Sequence, residues 1–202
     1  MNLNINRRTF LCLVGYFYTA NLFAKTKCKK TPIQPIGPFY KETKLSNIND
    51  LTNNGKALGK IIEIQGKIVD SNCKPHPKCI IDIWQANTYG KYNHKNDLSE
   101  NKIDKNFKGY KRIITDDQGY YSFKTIMPGS YKIFDDIIRP PHIHLLIKTV
   151  NNKKLSTQVY FKDQLGNKKD IIFNSVKNNY LLEVSFAKSD KKIRKGILDI
   201  TI

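Results

Sequence analysis

"TDDQGYYSFKTI", residues Thr115 to Ile126, is the stretch whose reading decides the fold. Its first half carries Asp, Gln and Gly, and Gly119 can take the positive φ that a tight hairpin turn needs. Its second half alternates residue by residue, which suits a strand with one buried face. Short β-rich runs of this kind recur along the chain: "IIEIQGKIV", "CIIDIWQA", "YKRIIT", "HIHLLIKTV", "LSTQVYF", "YLLEVSFA" and "ILDITI". Roughly seven or eight strands without a sustained helical period predict an all-β fold, a β-sandwich. It should occupy residues 61–202 as one domain, with residues 25–60 as an extended arm and loops. Residues 91–109, "KYNHKNDLSENKIDKNFKG", form a long polar loop, and long loops on a rigid sandwich are where sites tend to sit.

The 202-residue chain is 40% hydrophobic and 26% charged, ordinary for a soluble globular protein, but its formal net charge is +18. The basic residues are mostly Lys and scattered, and beyond the N-terminus only Arg112, Arg139 and Arg194 are Arg. Nucleic-acid recognition leans on Arg, so compositional bias is the better reading and no nucleic-acid partner is expected. Weak association with an anionic surface stays open.

"MNLNINRRTFLCLVGYFYTANLFAKT" opens with Arg7 and Arg8, continues as an apolar run from Phe10 to Phe23, and reaches small Ala24. That order is the order of an export signal, and the run is shorter than the roughly 20 residues of a membrane span. "RRTFL" resembles a twin-arginine signal, so residues 1–24 should direct export, to the periplasm in a bacterium. An uncleaved signal would leave a membrane anchor. Of the four cysteines, Cys12 lies in the signal. A hairpin around "KPHP" would bring Cys73 and Cys79 together, so a disulfide and two free thiols are both open there, with Cys28 left over.

Candidate chemistry concentrates in "RPPHIHLLI", Arg139 to Ile147. Residues i and i+2 of a strand share a face, so His142 and His144 look the same way, about 7 Å apart. Two imidazoles so spaced can converge on a metal, which the spacing does not name. Without HExxH a zinc hydrolase is poorly supported. A 2-His-1-carboxylate site would need an Asp or Glu, with Asp135 and Asp136 as candidates.

"GPFY", "IDIWQAN", "GKYNHKND", "GYYSFKTIMPGSY", "RPPHIHLLI" and "STQVYF" follow one another in this order. Together they resemble the intradiol ring-cleavage dioxygenases, most nearly the protocatechuate 3,4-dioxygenase β-subunit. The resemblance implies the family's β-sandwich with long active-site loops. It also implies one non-haem Fe(III) held by Tyr92, Tyr131, His142 and His144. Arg139 would stabilise developing charge. Tyr131 would leave the metal as substrate arrives and help take its proton. Gln158 and Trp84 would belong to the pocket. The reaction implied is cleavage of a catechol by O₂ to a cis,cis-muconate-type product. A hard trivalent cation suits phenolate oxygens with neutral imidazoles, so the ligand set is chemically coherent. Ile133 stands where the protocatechuate enzymes carry a pocket Trp, and the segment from Tyr131 to Arg139 is shorter than theirs, so the catechol is left open. A homo-oligomer, a monomer and an unlike-subunit partner are also open. The competing reading is an exported β-sandwich binding module without catalysis.

Overall fold

The computed structural model describes residues 27–134, 137–162, 164–186 and 193–202. The export signal, Cys12, Asp135 and Asp136 lie outside them.

Two sheets form the sandwich. In one, β1 (Ile61–Val69) pairs antiparallel with β4 (Tyr120–Ile126) and parallel with β10 (Arg194–Ile197) and β11 (Ile200–Thr201). The other runs in the order β3 (Tyr110–Ile114), β2 (Ile80–Trp84), β7 (His142–Lys148), β8 (Lys154–Phe161), β9 (Glu183–Val184). A separate antiparallel hairpin joins β5 (Tyr131–Phe134) to β6 (Ile137–Arg139). Between the sheets, Ile62, Ile64 and Phe123 meet Ile81, Ile83, Ile143 and Leu145 in one buried core. No helix among the described residues is long and apolar enough to cross a membrane.

β7 organises the function. Its odd residues Ile143, Leu145 and Ile147 enter the sandwich core, while His142, His144 and Leu146 lie on the opposite face and are buried as well. The strand is covered on both sides, so it reads as an apolar run with two imidazoles in it. The cover on the second face is the arm, which has no named strand before residue 61. Gln34 N–H donates to the Ser156 carbonyl at 2.8 Å, and the Pro32 and Pro35 carbonyls accept from Thr157 and Gln158 at 2.9 and 3.0 Å.

Several expectations change. The turn at Asp116–Gly119 forms, with Gly119 at φ +70°, but closes no hairpin: β3 and β4 belong to different sheets. After β1 the chain turns back on itself briefly, with Val69 bridged antiparallel to Pro75, before β2 joins the other sheet. Cys73 bonds Cys28 instead, tying the arm to the sandwich, and Cys79 is a buried free thiol. "YLLEVSFA" is not one strand. After Asn178, left-handed at φ +60°, Asn179–Leu182 coils as a 3-10 turn, and only Glu183–Val184 pairs with β8. The β5–β6 hairpin was not anticipated, because its strands of four and three residues are too short to show a period.

Candidate active site

Register places the site residues. On the outer face of the five-stranded sheet, Trp84, His144 and Gln158 are cross-strand neighbours on β2, β7 and β8, and His142 faces Tyr160. Tyr131 begins β5 and Arg139 ends β6, paired with each other across the hairpin. Tyr92 comes from the loop after β2. Asn87 shapes that loop: its Oδ1 accepts the Tyr89 and Lys91 N–H groups at 2.8 and 3.1 Å. Asp97 then takes the Tyr92 N–H at 2.7 Å and pairs with Lys91 at 3.2 Å, both side chains largely buried. Gly90, at φ +76°, lets this loop press on β5, where an added Cβ would stand 2.2 Å from the Ser130 carbonyl oxygen.

The structure therefore brings Tyr92, Tyr131, His142 and His144 together. The Tyr131 hydroxyl lies 3.2 Å from His142 Nε2, and the two histidine Nε2 atoms lie 3.2 Å apart. The Tyr92 ring meets Tyr131 edge-on at 5.5 Å and lies 6.3 Å from the His144 ring. His142 Nδ1 is 2.7 Å from the Pro140 carbonyl, which can only accept. The proton of neutral His142 therefore sits on Nδ1 and Nε2 is bare. Burial, then the Arg139 charge, pushes the His142 pKa down to about 3, and burial, His142 and Arg139 hold His144 well below its usual value. Burial, then repulsion from Tyr131, raises Tyr92 well above the ordinary phenol range. Two neutral imidazoles and two phenols, all buried, face one another.

That cluster is polar but under-satisfied. The Tyr92 hydroxyl and His144 Nδ1 are buried without a hydrogen-bond partner. Unpartnered buried polar atoms are costly and ask for an explanation. A cation among the two phenol oxygens and the two Nε2 atoms would supply one for the Tyr92 hydroxyl, while leaving His144 Nδ1 as it is, and the donor set suits Fe(III). Among the described residues no three His, Cys, Asp or Glu gather at a point, so a cluster here draws on Tyr.

Arg139 is fixed beside the cluster. Its Nε donates to Asp170 Oδ2 at 2.6 Å, and its Nη2 donates to Gln158 Oε1 at 2.7 Å and to Tyr160 Oη at 2.9 Å. Those bonds use three of its five N–H groups and leave Nη1 for the cleft that Arg139 lines. The cleft, about 650 Å³, opens over Tyr131, His144, Arg139 and Gln158, and Ile133 forms part of its wall. Trp84 does not line it. Its ring stacks flat behind His144, 4.9 Å between centroids at 9°, so it buttresses a histidine instead of meeting substrate. His94 packs edge-on against Phe39.

Sequence reading missed several partners. Phe39 stacks on Tyr92 at 4.3 Å, Gly37 would bring a Cβ to 3.3 Å from the His144 ring, and Tyr160 and Asp170 hold Arg139. "GPFY" was the one signal available, as a conspicuous motif in an otherwise irregular arm.

The likeness to known proteins points the same way. The family described as "Dioxygenase" matches residues 36–201. Over 156 residues the chain is 38% identical to the protocatechuate 3,4-dioxygenase beta chain of Burkholderia cepacia, covering 68% of this chain and 66% of that one. The chain thus spans less than two thirds of that relative's own length. The dioxygenase domain of a dioxygenase carbohydrate-binding protein fusion from Streptomyces sp. SirexAA-E superposes with TM-score 0.69 at 25% identity, covering 86% of this chain and 98% of that one. An intradiol ring-cleavage dioxygenase from Tetranychus urticae shares the fold, with TM-score 0.71 at 21% identity over 87% of this chain and 95% of that one. With its sandwich, its histidine strand and its family match over most of its length, the chain belongs to the intradiol ring-cleavage dioxygenases.

Proposed function

We propose that the protein is a non-haem Fe(III)-dependent intradiol dioxygenase, cleaving a catechol with O₂ between its two hydroxylated carbons to a cis,cis-muconate-type product. One observation carries the reading: Tyr131 Oη and the His142 and His144 Nε2 atoms converge at 3.2 Å spacings beside the unpartnered Tyr92 hydroxyl. Those four residues would hold the metal. When bound, Fe(III) would fix the catechol through its oxygens and activate it toward O₂.

The chain's own residues do the remaining work. The Pro140 carbonyl orients His142 through Nδ1 and so keeps Nε2 free to ligate. Trp84 holds the plane of the His144 ring. Tyr131 Oη borders the cleft, where in its ionised form it can take a proton from a catechol hydroxyl. Arg139 Nη1 presents two N–H donors to negative charge developing on the ring, from a guanidinium already held on its other side. Phe39, Pro35 and Pro38 line the cleft and give it apolar surface against which a ring can pack.

Export to an oxidising compartment belongs to the same proposal. The Cys28–Cys73 disulfide supports it, since such bonds persist outside the cytosol.

Natively loaded protein should hold one iron per chain, show a visible tyrosinate-to-iron charge-transfer band, and consume O₂ with a catechol. Tyr131→Phe should shift the band. Colourless protein without O₂ uptake after iron loading overturns the reading.

A further inference from the structure

The cleft above the proposed metal centre changes character from floor to mouth. The floor is polar, with Tyr131, His144, Arg139 and Gln158. The outer wall is Pro38, Phe39, Leu98, Ile133 and Ile172. Two of these are large apolar side chains left in water, Leu98 at 89% exposure and Ile133 at 37%. Exposed apolar groups at the rim of a cleft that ends on reactive atoms mark a surface that a ligand covers.

Several polar groups lining the cleft are engaged within the protein. Asp97 Oδ2 takes the Tyr92 N–H, and its Oδ1 takes the Ser99 N–H, the Ser99 hydroxyl and Lys91. Gln158 Oε1 is occupied by Arg139 and Tyr160, and its Nε2 donates to Pro35. Asn96 Nδ2 donates to the Pro38 carbonyl at 3.3 Å. The Arg139 Nη1 donors belong to the floor; on the outer part of the cleft a polar substituent of a bound ring would meet the exposed side chains of Lys132, Asn96 and Ser99, and a solvent-exposed charge pair adds little. An apolar substituent would cover Leu98, Ile133 and Ile172.

We infer that the preferred substrate is a catechol bearing a bulky apolar extension, alkyl or aryl, lying along Phe39, Leu98, Ile133 and Ile172, and not one bearing a carboxylate. This rests on the Fe(III) dioxygenase reading and refines it. Leu98 and Ile133 are then specificity-determining residues. They come from separate segments, the loop after β2 and the β5 strand.

Oxygen uptake by iron-loaded protein with catechol, protocatechuate, 4-tert-butylcatechol and 4-phenylcatechol tests it. The kcat/KM for 4-phenylcatechol should exceed that for protocatechuate at least tenfold, within the range that apolar pocket contacts provide. In the variant Leu98→Ser/Ile133→Ser the ratio of 4-phenylcatechol to catechol should fall at least fivefold. Both positions are exposed, so the fold should hold, and circular dichroism checks it. Cleavage of catechol with no advantage for the extended substrates, or an unchanged ratio in the variant, overturns the inference alone. So does protocatechuate as best substrate with its advantage lost in Lys132→Ala. Cleavage of none of the four overturns the dioxygenase reading and this inference with it.

Discussion

Asp170 accepts the Nε–H of Arg139 at 2.6 Å, with both side chains all but sealed from solvent. The same carboxylate caps the short helix α1 (Ile171–Asn174), where its other oxygen takes the Phe173 N–H at 2.7 Å. Removing one partner of a buried pair leaves an uncompensated charge, so Asp170→Ala should lose about 3–5 kcal/mol of stability. Asp170→Asn keeps a good cap and should lose less. If Asp170 also positions Arg139, Asp170→Asn lowers kcat more than it changes KM, and the loss largely disappears in an Arg139→Gln background. A full additional loss in that background would assign Asp170 a structural role only. Iron content measured on the same samples separates loss of metal from loss of positioning.

Gly90 should tolerate no side chain. Its φ is +76°, and a Cβ would stand 2.2 Å from the Ser130 carbonyl oxygen and 3.1 Å from Tyr131 Cβ. Gly90→Ala should destabilise by about 2–4 kcal/mol, from left-handed strain plus overpacking. It should also spread Tyr92 from Tyr131. Chemical denaturation checks the first effect and metal retention the second.

Acid stability should depend on Asp82, a buried carboxylate on β2. Burial alone would raise its pKa, but hydrogen bonds from Arg112 and Tyr40 outweigh that and lower it. A carboxylate with a depressed folded pKa stabilises fully above its unfolded value, about 3.9, and loses that stability as pH falls through the lower folded value. The melting temperature should therefore drop below pH 4. Asp82→Asn should be less stable at neutral pH and flatter in that acid range. A melting curve with the same acid slope in both proteins would contradict this.

The disulfide spans 45 residues, and closing a loop of that length in the unfolded chain corresponds to about 4 kcal/mol in the chain-entropy account. Cys28→Ser/Cys73→Ser, or reductant, should lower the melting temperature accordingly. Proteolysis should then cut first in the arm ahead of Thr31, whose N–H and side chain still pair with Thr201. Unchanged melting under reductant would show the bond unformed in the protein tested.

The sandwich was legible because β1 and β4 keep a period of two, and β7 was legible in place because prolines precede its histidines. The four converging residues came from motif likeness, not periodicity: Tyr92 and Tyr131 stand in a loop and at the head of a four-residue strand, where no pattern distinguishes them from other tyrosines. Asp170 and Tyr160 were invisible because they meet Arg139 across 31 and 21 residues. The cysteine pairing was not legible because the partner of Cys73 is Cys28, 45 residues away on an arm without a period. At Asp116–Gly119, sequence shows that a turn exists, but not whether the next strand returns to its neighbour or crosses to the opposite sheet.

β7 carries Ile143, Leu145 and Ile147 on one face and His142 and His144 on the other. A shift of one residue in its pairing with β2 and β8 would exchange the two sets. Imidazoles would enter the oily interior and aliphatic side chains would stand opposite Tyr131. Such a chain could neither close its core nor gather its donors. Correct alignment is thus enforced twice on a single strand, and affinity for a cation would itself distinguish properly threaded molecules from slipped ones.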